Sequence, residues 1–171
     1  MTNLLPLLTI TSDLQFLVLE EEPKVASDDI GGWADSGLVV RVVRGRKMSA
    51  WQGVFDEFAA ALQFPMYFGE NLDAFAECIA DLGWLPRQSG YVIVITEPGE
   101  VLADAGAEAL STMVSLLTDA CAEWARPIEQ GEWWDRQAVP FHVVLQSGVA
   151  DAADVRRRWV AAGASVGSFL Q

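Results

Sequence analysis

The chain has 171 residues, 51% of them hydrophobic, and its 24 acidic against 11 basic side chains give a net charge of -13. A chain this long and this apolar folds around one sizeable core instead of staying disordered. Its excess negative charge repels nucleic acid and anionic membranes, which excludes both as direct ligands.

In chain order, residues 1–37 read as an N-terminal extension. The start is apolar but lacks a basic segment and a small-residue cleavage signature, and no apolar run has the length to cross a membrane, so the expected location is the cytoplasm. Residues 14–19 (LQFLVL) form a candidate added strand, and 20–35, acidic and punctuated by Gly and Pro, read as loop. Residues 38–44 (LVVRVVR) read as a strand. Ser49 is placed to cap a helix with Gln52 at the capping-box position, and Trp51, Val54, Phe55, Phe58, Ala61 and Leu62 recur at helical spacing. Phe64-Pro65 ends that helix. Asn71 caps a second helix over 72–82, with Leu72, Phe75, Ile79 and Leu82 as the expected buried stripe and Gly83 as its stop.

Residues 91–96 (YVIVIT) form a continuous apolar run that suits a central strand covered on both faces. Residues 107–124 read as a long helix, 126–140 as an irregular connection whose Trp133 and Trp134 are expected to pack, and 141–146 as a third internal strand. A C-terminal extension, 148–171, carries a helix over 151–162 that is basic at Arg156, Arg157 and Arg158. The alternation predicts an α/β domain over 38–147, a small mostly parallel sheet of three core strands with packed helices.

The acids are concentrated. Residues 48–125 hold twelve of them and a single base, Arg87, so this window alone carries -11 of the net charge. Like charges three or four apart on a helix repel, and so a negative sign relieved by one base over such a length points beyond solubility. Glu70, Asp73 and Glu77 stand at i, i+3 and i+7, with Asp81 one further turn on, along the edge opposite the apolar stripe. On an exposed helix they lack the pocket that acid–base catalysis needs, and their spacing matches no calcium loop. Cys78 and Cys121 are too few and too far apart for a disulfide scaffold or zinc site, and read as buried reduced thiols. The single His142, in an apolar strand, reads as a packed residue. No catalytic residues and no cofactor or metal are expected. A carboxylate row beside an exposed Tyr67 instead suits the basic groove of a protein partner.

The run from Phe64 to Cys78, FPMYFGENLDAFAEC, resembles the signature of the barstar family, intracellular inhibitors of barnase-type ribonucleases, and the resemblance extends over roughly 38–147. It implies a non-enzymatic inhibitor whose helix and preceding loop plug the nuclease active site. By motif position it implies partner contacts at Tyr67, Glu70, Asp73, Ala76, Glu77, Gly83 and Trp84, with Asp119 as a looser match on the following helix. Glu77 stands where the family has aspartate, Ala76 where it has tryptophan, and two extra residues precede Gly83-Trp84. The alternative is an interaction or immunity module of the same fold that binds a different basic toxin or a regulatory partner.

Overall fold

The computed structural model describes residues 3–86 and 89–169. Arg87, the one base of the acidic window, lies outside them. Five strands form one sheet, entirely parallel, in the order β2-β3-β4-β1-β5. They are β1 (Gln15–Glu20), β2 (Val39–Arg44), β3 (Tyr91–Thr96), β4 (Phe141–Ser147) and β5 (Ser165–Ser168). The helices are α1 (Leu5–Leu8), α2 (Pro23–Asp35), α3 (Trp51–Leu62), α4 (Leu72–Asp81), α5 (Ala109–Trp124) and α6 (Ala152–Ala161).

Side chains alternate across the sheet and divide the core in two. Phe16, Val18, Ile93, Ile95, Val143 and Leu145 point to the face covered by α3, α4, α5 and α6. Leu17, Leu19, Val92, Val94 and Val144 point to the face covered by α1 and α2, against Leu7, Ala26 and Trp33. Chain handedness accounts for this division. From β2 through β3 to β4, and again from β1's neighbour β4 to β5, the sheet is crossed in one direction, whereas β1 to β2 runs the opposite way. Right-handed crossovers therefore put α2 on the opposite face from the other helices. The apolar runs of β3 and β4 are sandwiched on both sides, as parallel strands require.

The core strands and helices fall where periodicity placed them, but the extensions do more than expected. β1 does not merely add to an edge: it lies between β4 and β5. Residues 23–35, read as loop, form α2, because Pro23 suits the first helical position and Trp33 is buried against Leu17 and its neighbours and stacks on Phe169 at 5.5 Å. Residues 165–168 (SVGS), for which no strand was read, pair with β1 from Gln15↔Ser165 to Val18↔Ser168. Arg156 holds that edge by donating to the Gly167 carbonyl at 3.3 Å and the Ser168 hydroxyl at 2.9 Å. The three expected core strands, β2, β3 and β4, are thus joined by the added strand β1 and by β5, and the sheet is parallel throughout, not only mostly so.

Three local expectations fail for physical reasons. The N-cap of α3 is Ala50, one residue later than expected, and it has no side-chain oxygen to cap with; Gln52 reaches Asp56 and Glu70 instead, each at 3.0 Å. Leu72, at the first turn of α4, is 37% exposed, and Cys78 completes the buried stripe with Phe75 and Ile79. The left-handed residue that ends α4 is Leu82 (φ 44°), not Gly83, and the burial of its side chain at 0% exposure offsets the backbone strain. At the start of α3 a Cβ on Gly53 would stand 2.0 Å from the Lys47 carbonyl oxygen, so the absent side chain lets the preceding turn lie on the helix. Glu57 ties α3 to β2 by accepting from the Arg44 backbone N–H at 3.0 Å and its guanidinium at 2.6 Å, and this hydrogen bonding holds the Glu57 carboxyl below its usual range.

Candidate functional site

The segment between α3 and α4 is short and braced by aromatics. Gln63 (φ 54°) terminates α3 in the left-handed conformation, and the Phe68 N–H closes a turn on the Pro65 carbonyl at 2.9 Å. Phe64 and Phe68 turn inward, 4.9 Å apart in edge-to-face contact, with Phe55 and Phe75 behind them. Of the three residues between the anchors, Met66 and Tyr67 point out: Met66 is fully exposed and Tyr67 is 78% exposed. A large apolar body held out on a fixed turn carries little conformational entropy to lose on binding.

Glu70 follows with a left-handed backbone (φ 48°), and its Oε1 accepts from Gln52 on α3 at 3.0 Å. This carboxylate is therefore fastened to the neighbouring helix at the head of the row. Asn71 caps α4: its Oδ1 accepts from the Ala74 N–H at 2.9 Å and its Nδ2 donates to the Gly69 carbonyl at 3.2 Å. The cap fixes the direction in which α4 leaves the turn. Phe75, Cys78 and Ile79 bury one side of the helix, and Asp73, Glu77 and Asp81 are exposed on the other. None of the ion pairs among the described residues involves Glu70, Asp73, Glu77 or Asp81, so no described cation neutralises the row.

The far end of the row is tied into the core. Trp84 donates its indole N–H to the Leu62 carbonyl at 2.8 Å and packs edge-on against Phe64 at 6.1 Å, so it is half-buried and closes the loop from behind. Gly83 beside it is exposed. Trp124 of α5 donates to the Ile79 carbonyl at 3.0 Å, satisfying one of the carbonyls that the end of α4 leaves open. Ala76 is half-buried on α4, and Asp119 is exposed on α5, on a different helix from the row. The structure thus groups Tyr67, Glu70, Asp73 and Glu77 along one loop and helix, puts Gly83 and Trp84 at the helix end, and leaves Asp119 outside the row.

Chemistry at the other singled-out residues is quiet. His142 is buried, with its Nε2 2.8 Å from the Thr9 carbonyl, and burial holds its pKa below the ordinary range. Cys78 and Cys121 are buried free thiols, and burial pushes Cys121 up to about 11. Among the described residues no group of three or more His, Cys, Asp or Glu side chains is placed to hold a metal ion, and no helix is long and apolar enough to cross a membrane.

Sequence reasoning misplaced Trp133 and Trp134. They were expected to pack, yet Trp133 is 82% and Trp134 43% exposed. Their neighbours Asp135 and Arg136 take up the interior of the loop, which turns the two indoles outward. The adjacent acid–Arg pair was the available signal.

A family model described as Barstar (barnase inhibitor) matches residues 38–146. The match includes β2 to β4 and the whole of the Tyr67–Trp84 segment; β1, α1, α2, α6 and β5 lie beyond it. No curated protein matches the chain.

Proposed function

The chain belongs to the barstar family, whose members are non-catalytic inhibitors, and from that premise we propose that it blocks the basic active site of a barnase-type ribonuclease in the cytoplasm. The observation that carries this reading is the exposed Tyr67 on its aromatic-braced turn, followed by the un-neutralised carboxylates of α4. A site that binds RNA phosphates presents cations at phosphate spacing. Asp73 and Glu77, fixed on a capped helix, place negative charge where those phosphates would lie, and Tyr67 covers the neighbouring apolar surface. Opposite fields steer the two proteins together, while the excluded volume of the helix keeps RNA out. Gly83, Trp84, Ala76 and the more distant Asp119 form the rim of this contact.

A second reading, an immunity module of the same fold directed at a different basic toxin or regulatory protein, is favoured by Ala76 and Glu77, where the family carries tryptophan and aspartate. Titration of a panel of barnase-type ribonucleases with the protein, followed by RNA cleavage, separates the two. Stoichiometric, salt-sensitive loss of cleavage supports the inhibitor; full cleavage throughout the panel rejects it in favour of the second reading.

A further inference from the structure

The loop between α5 and β4 has no regular structure, yet it is internally braced. Ile128 and Arg136 exchange backbone hydrogen bonds at 2.8 and 3.1 Å. The Arg136 guanidinium donates to the carbonyls of Glu123 at 3.1 Å and Arg126 at 3.0 Å and lies 4.2 Å over the Trp124 ring. It thereby satisfies the open carbonyl end of α5 and staples the loop to it. The Asp135 carboxylate accepts from the N–H groups of Gln130 at 2.9 Å and Gly131 at 2.8 Å and closes the tip. Both charges are thus engaged within the loop. What it offers outward is the Trp133–Trp134 pair, edge to face at 5.4 Å.

Between this loop and the end of α4 lies an open cleft of about 820 Å³. One wall is Asp81, Gly83 and Trp84; the other is Glu129, Trp133 and Trp134. Arg136, the one cation among the described residues of its lining, is engaged by carbonyls and by Trp124, whereas Asp81 and Glu129 are exposed and enter no ion pair among the described residues. Exposed carboxylates in a cleft that indole rings also line suit a planar cation, which can stack on a ring and pair with a carboxylate. Asp81 is also the last member of the α4 row, so the cleft continues the surface that faces the basic partner.

We propose that this cleft receives an arginine side chain of the same basic protein that α4 blocks, as a second anchor of the complex. The proposal rests on the inhibitor reading for the partner's identity, but not for the chemistry of the cleft. Two measurements on the full chain keep these apart.

In the first, acetyl-Gly-Arg-Gly-amide and its norleucine counterpart are titrated to concentrations on the order of millimolar while the indole N–H resonances of Trp133 and Trp134 are followed. Saturable shifts with the arginine peptide, weak with norleucine, lost in Trp133→Ala, reduced in Glu129→Gln and kept in Glu77→Gln, support the cleft. No shift, or equal shifts with norleucine, overturns it. In the second, Trp133→Ala is compared with the wild type on a ribonuclease that the wild type inhibits. About tenfold faster dissociation with unchanged circular dichroism supports the second anchor; a change under about twofold overturns it while the inhibitor reading stands. If no ribonuclease is inhibited, the inhibitor reading fails and the peptide titration alone decides the cleft. Concentration-dependent self-association that Trp133→Ala abolishes assigns the loop to a second copy and overturns the proposal.

Discussion

Phe16 and Trp159 lie ring to ring at 5.3 Å, both at 0% exposure, although one comes from β1 before the family-matched region and the other from α6 after it. They meet in the same core that holds Phe58 and Phe75 beneath the acidic helix. The support for α4 therefore runs through both extensions.

Deleting residues 1–37 is expected to unfold the protein, not trim it. The deletion strips β4 of its β1 partner and bares Val92, Val94 and Val144 on the face that α1 and α2 cover. Phe16→Ala, a milder probe of the same contact, is expected to cost about 3–5 kcal/mol as a large-to-small core change. Chemical denaturation checks both; a 38–171 fragment with a cooperative transition like that of the full chain would contradict the expectation.

Asp73→Ala and Glu77→Ala are each expected to weaken binding to a cognate ribonuclease by about 2–5 kcal/mol, the range known for buried charge pairs at interfaces, this family's among them. Asp119→Ala, outside the row, is expected to cost about 1 kcal/mol or less, as exposed rim charges do. Stopped-flow association at two salt concentrations, combined with dissociation rates, resolves the three.

His142 makes stability fall on mild acidification. Burial lowers its folded pKa below 6.5, so between the folded and unfolded values the unfolded chain binds more protons. Its contribution is fully present above 6.5 and is lost as pH drops through the folded pKa. His142→Gln is expected to flatten this part of the profile, with thermal unfolding between pH 7 and 5 as the measurement.

Gly31→Ala and Gly32→Ala are expected to stabilise the protein by about 0.5–1 kcal/mol each. Both lie in α2 with no atom within 4 Å of where a Cβ would stand, so the change restricts the unfolded chain without a clash. A fall in the midpoint of urea unfolding for either variant would show that α2 needs its glycines.

The sequence made the site more legible than the frame around it. Asn71 announces the start of α4, and the spacing of Phe75 and Ile79 sets which edge carries Asp73 and Glu77, because capping and helical period are local properties. α2 was hidden by Gly31, Gly32 and Pro23, whose local preference for turns is overridden by the burial of Trp33. β5 was hidden because SVGS has almost no apolar pattern; its pairing comes from β1, far away in the chain, helped by Arg156 on the preceding helix. Trp133 and Trp134 misled for the opposite reason, since large apolar residues normally lie inside and only the bracing by Asp135 and Arg136 turns them out.

The place of β1 between β4 and β5 also sets a timetable for biosynthesis. β1 leaves the ribosome early, but both strands that flank it are made after the acidic helix is complete. Until they arrive it has neither neighbour, and the loop to be closed spans most of the chain, an arrangement that slows folding. The nascent protein therefore passes through a stage in which α4 has been synthesised but the sheet beneath it cannot yet close. On the inhibitor reading proposed above, the acidic helix gains its full support only when β4 and β5 dock on β1, so the lag between synthesis of α4 and inhibition is set by the arrival of those two strands.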